Sequence, residues 1–317
     1  MIKYYMGIDT SNYTTSIGII DDNEHILFDA RKLLIVKDRA HGLRQQEAVF
    51  QHMNNLPILI DELTKDIDIN KIDTISVSSK PRNVNDSYMP VFVVGKNQAF
   101  ILSRVLNKSL KEFSHQEGHI AAGLLNCKRV PERFLSLHIS GGTTEILIVK
   151  SFAENFDIKL VGGTLDINFG QLIDRIGVYL GFKFPSGKEL ESFSKKGQLL
   201  DIHIPISIKN NTWSNLSGLE NYFIKLIDSK NFKNEDIVYT LFHTISRIIE
   251  VLIKNTTSEF NIKDIIITGG VSANTYIRNY LRDTIDLNII FPQVNLSTDN
   301  GVGIALLGKL KEGDRRW

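Results

Sequence analysis

The stretch SNYTTSI, Ser11 to Ile17, recurs in the second half of the chain as SGGTTEI, Ser140 to Ile146. The Ser, Thr-Thr and Ile positions match one for one, and in each half a polar turn separates two apolar segments typical of paired β-strands. A match this short can arise by chance, but a third strand-like segment and helical periodicity follow both copies. The pattern predicts an internal duplication into two related α/β lobes with a ligand cleft between them.

The overall composition limits the classes of function. The chain has 317 residues, enough for two lobes, and 37 Lys+Arg balance 36 Asp+Glu. RNA would therefore have to meet a local basic patch, because no global basic field exists. The single cysteine, Cys127, excludes an intrachain disulfide and a multi-cysteine zinc site. No apolar run reaches the roughly 20 residues of a membrane span, so we expect a cytoplasmic protein without membrane contact.

The apolar patterns predict the same order of elements in each half. The first half gives three strands, then a helix from Leu43 to about Asp66 that Pro57 should kink or split, a strand and two more helices. The second half gives three strands, helices from Gly170 onward, the strand in DIIITGG followed by a helix from about Ser272, and a last helix from about Gly301 to Lys311. These elements predict a first lobe of residues 1–130 plus the C-terminal helix 300–317, and a second lobe of residues 131–299.

The SGGTT turn is a candidate anion site. Gly141 and Gly142 have no Cβ to obstruct an anion, and the turn offers backbone N–H groups and hydroxyls to a phosphate. An ordinary hairpin turn favours the same residues. The TGGVSAN segment adds a strand that ends in Gly-Gly at a helix start, which suits a nucleotide, although Ser272 and Asn274 could simply cap that helix.

A second candidate lies between Asn168 and Glu191. The turn FPSG, Phe184 to Gly187, is expected to begin a helix close to Asp174, whose carboxylate could accept hydrogen bonds from ribose hydroxyls. Alternatively, Asp174 and Arg175 are solvated surface charges.

His115 and His119 in SHQEGHIAAGLL form a candidate metal site. Residues four apart lie on one face of a helix, so both imidazoles can reach one ion, although two histidines with this spacing are often structural. A zinc-peptidase motif fits poorly, because the position after His115 is Gln116, and Glu117 lies on the other side of the helix. A carboxylate would complete a set for iron or zinc, and Asp299 in STDNG is the candidate.

The motifs GIDTS, HQEGH, HISGGTTE, the segment from Asp174 to Gly187, GGVSAN and STDNG, in this order, resemble the threonylcarbamoyl-adenosine synthase family (TsaD), formerly described as glycoproteases. The resemblance covers essentially the whole chain. It implies an actin-like ATPase fold of ribonuclease-H-like duplicated domains, a bound ATP or adenylate, and one Fe²⁺ or Zn²⁺ ion. It also implies transfer of a threonylcarbamoyl group from threonylcarbamoyl-adenylate to an adenosine of tRNA, by a protein that works with partner proteins or as a homodimer.

The resemblance also assigns residues. The metal ligands would be His115, His119 and Asp299. The phosphate and acyl group would lie along His138, Ile139, Ser140, Gly141 and Gly142, with Ser140 donating to the charge that develops in the reaction. Ribose and base would meet Asp174, Gly187 and Asn274.

Several positions depart from the family pattern. The acidic pair of the family's first hairpin is missing, and Tyr13 and Thr14 cannot replace a carboxylate base. The family's Gly-Pro-Gly-Leu segment is replaced by residues Pro81 to Gly95, and its Asp-Asp-Ala-Ala-Gly-Glu by DINFGQ, from Asp166. A second hypothesis is therefore a diverged paralogue that binds nucleotide and metal as a regulatory or assembly subunit, or that uses another acceptor. Sugar-kinase-like phosphotransfer also stays open, with Asp9 as its catalytic carboxylate.

Overall fold

The computed structural model describes residues 2–11, 13–36, 43–125, 127, 129–151 and 156–310. These residues form two units, each with its own sheet and core. Unit 1 takes its described residues from Met1–Glu132, Ser151–Phe156 and Pro292–Trp317, and unit 2 comprises Arg133–Lys150 and Asp157–Phe291. The segment 292–299, which the sequence placed with the second lobe, belongs to unit 1. Residues 311–317 of the predicted C-terminal helix lie outside the described residues.

Short runs of strands and of helices follow one another along the chain. The strands are β1 (Tyr4–Asp9), β2 (Thr14–Asp21), β3 (Ile26–Leu33), β4 (Ile72–Lys80), β5 (Ser109–Ser114), β6 (Arg133–Ile139), β7 (Thr144–Ser151), β8 (Phe156–Thr164), β9 (Ser207–Lys209), β10 (Trp213–Asn215), β11 (Asp264–Thr268) and β12 (Asn288–Ile290). The α-helices are α1 (Gln45–Asp66), α2 (Pro90–Val105), α3 (His115–Leu124), α4 (Phe169–Tyr179), α5 (Gly187–Ser194), α6 (Ser217–Ser229), α7 (Asn234–Phe260), α8 (Thr275–Thr284) and α9 (Gly301–Leu310).

Unit 1 is built on a five-stranded sheet with the order β3-β2-β1-β4-β5. The first three strands are antiparallel neighbours, whereas β4 runs parallel to β1 and β5 parallel to β4. Parallel strands end at the same edge of a sheet, so the C-terminal ends of β1 and β4 bring Asp9 and Ser78 together.

Helices cover both faces of this sheet. On one face, Ile8 and Ile17 are fully buried in a core that includes Leu56 and Leu59 of α1. Burial of each such side chain stabilises the fold by about 1.5–3 kcal/mol relative to exposure. On the other face, α9 lies directly on the backbone of β1 and β2, because a Cβ added at Gly7 would come within 2.0 Å of the Gly301 carbonyl oxygen.

Unit 2 contains a seven-stranded sheet with the order β12-β11-β6-β7-β8-β10-β9. β6 and β7 form an antiparallel hairpin, and β11 runs parallel to β6 with β12 parallel beyond it. The amphipathic helix α7 buries a long apolar face, including Ile245 and Ile249, in a core shared with Leu137, Ile146 and Phe169.

The two sheets share one topology. The order β3-β2-β1-β4-β5 of unit 1 recurs as β8-β7-β6-β11-β12 in unit 2, with the same mixture of antiparallel and parallel neighbours where the pairing is defined. Unit 2 adds β10 and β9 beyond β8. The predicted α/β duplication, inferred from SNYTTSI and SGGTTEI, is confirmed.

Several details differ from the sequence prediction. α1 runs through Pro57 as one helix, so the expected split is absent: the proline lies on the exposed face, while Leu56 and Leu59 stay buried. A 3-10 turn (Gly270–Ala273) precedes α8, which begins at Thr275 because Asn274 caps it. The short edge strand β5 was not predicted, because SLKEFS lacks a clear apolar alternation.

Within the described part of the chain, no helix has both the length and the apolar character needed to cross a bilayer.

Candidate metal centre and nucleotide-binding segments

The start of α3 is fixed by a capping box. Ser114 Oγ accepts a hydrogen bond from the backbone N–H of Glu117, and the Glu117 carboxylate accepts from the backbone N–H of Ser114 at 2.8 Å. The helix therefore begins at His115, with His119 one turn later. Because Glu117 is held in this cap, its carboxylate is not placed to act as the base of a zinc peptidase.

Three potential ligand atoms converge at this helix start. His115 Nε2 lies 3.0 Å from His119 Nε2, and Asp299 Oδ1 lies 3.5 Å from the first and 3.3 Å from the second. Zinc binds such nitrogen and oxygen donors at about 2.0–2.2 Å, and donors sharing one ion at these bond lengths lie about 3.0–3.5 Å apart. The spacing and the chemistry of the three side chains thus fit one ion.

Asp299 is held in place by its neighbours in the STDNG turn. Asn300 caps α9 by accepting from the backbone N–H of Gly303 at 2.9 Å, and its amide donates to the carbonyl oxygens of Leu296 and Thr298. Arg31 of β3 donates to Thr298 Oγ1 at 3.1 Å. The turn is therefore fixed at both ends, and the Asp299 carboxylate is directed to the two histidines.

The close approach of α3 and α9 depends on two glycines. A Cβ added at Gly303 would lie 2.0 Å from the carbonyl oxygen of Gly118, and a Cβ at Gly118 would lie 2.6 Å from Ile304 Cδ1. Gly118 lies between the two histidines, so this contact sets the distance between them and Asp299.

The electrostatics of the site favour one positive charge. Burial opposes ionisation of Asp299, but hydrogen bonds from His115 and His119 hold the pKa of its carboxyl well below the usual value. Burial also opposes protonation of His115, yet the carboxylates of Asp9 and Asp299 raise the pKa of its imidazole to about 10. Burial and the neighbouring His115 lower the pKa of His119. The proton on His115 thus offsets part of the negative charge of the two carboxylates, and a metal cation could replace it.

A third histidine near this site was not identified from the sequence. His52 of α1 is fully buried, with Nδ1 2.8 Å from Thr15 Oγ1, and Asn55 donates to the same hydroxyl. Burial lowers the pKa of His52 to about 4, although the carboxylates of Asp9 and Asp299 act in the opposite direction. Its position on the buried face of an amphipathic helix was the only available signal, and most such histidines are structural.

The predicted catalytic residues lie in different units. Asp9 ends β1 in unit 1 and is fully buried, with His115, Ser11 and Ser78 around its carboxylate. Ser140 follows β6 in unit 2 and closes the hairpin turn, where its backbone N–H donates to Thr143 O at 2.8 Å. The Ser140 hydroxyl also accepts from the backbone N–H of Thr143 at 3.1 Å.

The SGGTT turn of unit 2 has the open backbone that an anion site requires. Gly141 and Gly142 are exposed, and a Cβ added to either would meet no heavy atom within 4 Å. Beneath them, a Cβ at Gly170 would lie 2.5 Å from Gly141 Cα, so the N-terminus of α4 lies against the turn. A helix N-terminus favours negative charge.

Other predicted nucleotide contacts of unit 2 gather near the same strand ends. His138 Nδ1 at the end of β6 lies 3.2 Å from Thr268 Oγ1 at the end of β11. Ile139 is fully buried, and its carbonyl oxygen would lie 2.2 Å from a Cβ added at Gly269. Asn274 accepts from the backbone N–H of Ile277 at 3.0 Å, so it caps α8, as the alternative interpretation proposed.

Asp174 and Gly187 meet at the turn between α4 and α5, as predicted. Asp174 Oδ1 accepts from the backbone N–H of Ser186 at 2.8 Å. Burial raises the pKa of the Asp174 carboxyl, against the hydrogen bonds from Ser186 and Gly187. Asp174 is therefore not a freely solvated charge, whereas Arg175 is exposed and pairs with Glu220 at 2.9 Å.

The fold defines the class of protein. The chain superposes on the activator of the 2-hydroxyisocaproyl-CoA dehydratase from Clostridium difficile with a TM-score of 0.53 and 18% identity, over 96% of this chain and 94% of that one. It also superposes on a ROK family glucokinase from Streptomyces griseus with a TM-score of 0.55 and 9% identity, over 98% and 99% of the two chains. These similarities and the duplicated topology confirm the predicted actin-like ATPase fold.

The chain belongs to the TsaD family, because the family model described as tRNA N6-adenosine threonylcarbamoyltransferase matches residues 35–306. A tRNA N6-adenosine threonylcarbamoyltransferase from Sulfurihydrogenibium sp. is 31% identical over 96% of this chain and 89% of its own length. The protein of the same name from Mycoplasmopsis synoviae is 30% identical, over 96% and 97% of the two chains. The predictions of this family and of an acyltransferase are confirmed.

Proposed function

We propose that this protein transfers the threonylcarbamoyl group of threonylcarbamoyl-adenylate to an adenosine of tRNA, with one Fe²⁺ or Zn²⁺ ion bound by His115, His119 and Asp299. The observation that carries the proposal is the convergence of these three ligand atoms within 3.5 Å of one another. When bound, such an ion supplies Lewis-acid polarisation of an acyl oxygen.

The adenylate would bind to unit 2. The exposed backbone of Gly141 and Gly142, next to the N-terminus of α4, suits the phosphate. The ribose and base would meet Asp174, Gly187 and Asn274, with His138 and Ile139 at the strand end beside the turn. The hydrogen bond from the Ser140 hydroxyl to Thr143 O is long, at 3.4 Å. The hydroxyl can therefore turn and donate instead to an oxygen on which negative charge develops.

We infer the acceptor and the partner proteins from the family. A relative from Methanocaldococcus jannaschii, 28% identical, is named a probable bifunctional tRNA threonylcarbamoyladenosine biosynthesis protein, and this chain matches 56% of its length. The additional length of that relative supports a partner protein for this chain. We place the reaction in the cytoplasm, where tRNA is available.

The decisive experiment combines purified protein, threonylcarbamoyl-adenylate, the partner proteins and unmodified tRNA, with the modified nucleoside measured by mass spectrometry. We expect product with the wild type and none with Asp299→Ala. Bound nucleotide without product would overturn the proposal and support the regulatory-subunit alternative. Metal content is measured in parallel on His115→Ala and Asp299→Ala. The matched controls are His203→Ala and Asp286→Ala, because both of these residues are exposed. Unchanged metal content in the first pair would remove the metal from the mechanism.

A further inference from the structure

We infer that Asp9 is a positioning residue that holds His115 in the orientation and tautomer needed for metal binding. The inference rests on the proposed function, because it concerns a ligand of the proposed metal site. It assigns Asp9 a role different from that of a catalytic base.

The Asp9 carboxylate lies at the end of β1 without contact with solvent. Ser11 Oγ donates to one carboxylate oxygen at 2.7 Å, Ser78 Oγ of β4 donates to the other, and His115 Nδ1 lies 3.2 Å from both. A buried carboxylate is costly unless hydrogen bonds or a positive charge compensate it. The two hydroxyls and the imidazole provide this compensation, and His115 is the only metal-ligand candidate among them.

The contact determines which nitrogen of His115 can bind a metal. An ionised carboxylate only accepts hydrogen bonds, so Nδ1 must carry the proton that faces Asp9. In the neutral ring, Nε2 then presents its lone pair, and Nε2 is the atom that lies beside His119 Nε2 and Asp299 Oδ1. Carboxylate–histidine–metal arrangements of this kind fix the ring and increase its basicity as a ligand.

The same contacts argue against Asp9 as a base for phosphotransfer. Its two oxygens already accept from Ser11, Ser78 and His115, and the side chain is fully buried. A catalytic base must come within hydrogen-bond reach of the substrate proton. Asp9 therefore acts through His115.

Asp9→Asn tests this role with little change in volume. If the amide N–H of the Asp9→Asn side chain faced His115, the proton of the imidazole would be forced onto Nε2. If the amide oxygen faced His115 instead, the proton could stay on Nδ1, but the negative charge that stabilises it would be lost. We expect the metal-stripped variant to bind Zn²⁺ about 10- to 100-fold more weakly than wild type in competition with a chromophoric chelator. Bound Co²⁺ should show an altered visible spectrum.

The matched control is Glu117→Gln, which removes another buried carboxylate at the start of α3. Glutamine preserves a capping box, so we expect wild-type Zn²⁺ affinity. Equal weakening in both variants would assign the effect to general charge and overturn the positioning role. A lower melting temperature of metal-free Asp9→Asn with unchanged Zn²⁺ affinity would show a purely structural residue and also overturn it.

A measurement on the wild type does not depend on the folding of a variant. Long-range ¹H–¹⁵N spectra of the Zn²⁺-loaded, ¹⁵N-histidine-labelled protein, with His115 assigned through His115→Ala, should show a proton on Nδ1. A proton on Nε2 would overturn the inference and leave the proposed transfer reaction intact. Absence of Zn²⁺ binding by the wild type would instead overturn both the metal site and the role of Asp9.

Discussion

The carbonyl oxygen of Gly118 lies where a side chain on Gly303 would begin, only 2.0 Å from the position of an added Cβ. α3 carries both candidate histidine ligands, and α9 follows directly after Asp299. Because Gly118 and Gly303 have no side chains, α3 and α9 can approach closely enough for the three ligand atoms to meet.

Gly303→Ala should push α3 and α9 apart. We expect a loss of about 1–3 kcal/mol of stability from overpacking, together with weaker metal binding, measured by thermal unfolding and metal titration. The control is Gly218→Ala in α6, where an added Cβ meets no heavy atom within 4 Å, and alanine should stabilise that helix slightly. Normal metal affinity in Gly303→Ala would contradict this explanation of the site.

Asn300→Ala should affect both stability and the metal site. Loss of a helix cap costs about 1 kcal/mol, and the Asp299 turn would also lose the bonds to Leu296 and Thr298. We expect reduced metal affinity by titration. Asn274→Ala removes the corresponding cap of α8 in unit 2 and should cost similar stability without a change in metal affinity. The same metal affinity in both variants would refute the special role of Asn300.

His52 should make the protein less stable in mild acid. Burial lowers its pKa from 6.5 to about 4, so the folded protein resists a protonation that the unfolded chain accepts. The contribution of neutral His52 to the free energy of unfolding is fully present above pH 6.5 and is lost as the pH falls towards 4. The loss reaches about 2 kcal/mol by pH 5.

The measurement for His52 compares urea unfolding of wild type and His52→Gln at pH 7 and pH 5. Groups common to both proteins cancel, so the wild type should lose about 2 kcal/mol more than the variant. Equal losses would show that His52 titrates normally in the folded protein.

Gly142→Ala separates nucleotide binding from folding. The added Cβ meets no protein atom, so stability should change by less than about 0.5 kcal/mol, whereas nucleotide affinity should fall because the methyl group would obstruct the phosphate. Gly170→Ala, by contrast, would contact the Gly141 backbone at 2.5 Å and should destabilise the fold. Calorimetric titration with ATP and thermal unfolding test both variants. Unchanged ATP affinity in Gly142→Ala would remove this turn from the nucleotide site.

Local patterns were sufficient to predict much of the fold. The apolar segments of β1 and β2 and the repeated Ser and Thr-Thr positions identified the duplicated hairpins, and helical spacing placed His115 and His119 on one face. These features depend on neighbouring residues, and a linear sequence preserves them.

The remaining features depend on residues far apart in the chain. The contacts of Asp9 with Ser78 and His115 arise from parallel strand pairing, and the burial of His52 arises from packing of α1 against Thr15. A glycine in a sequence also does not reveal which backbone segment will lie against it. The contact between Gly303 and the backbone of Gly118 is an example.

The order of the ligands along the chain has a consequence for biosynthesis. His115 and His119 leave the ribosome well before Asp299, and α9, which covers the backbone of β1 and β2, is made after every strand of unit 2. A nascent chain that stops before Asp299 has neither the third candidate ligand nor the helix that covers its first hairpin. Tight binding of the proposed ion would therefore require translation to have passed Asp299, and ion retention would then distinguish finished molecules from truncated ones.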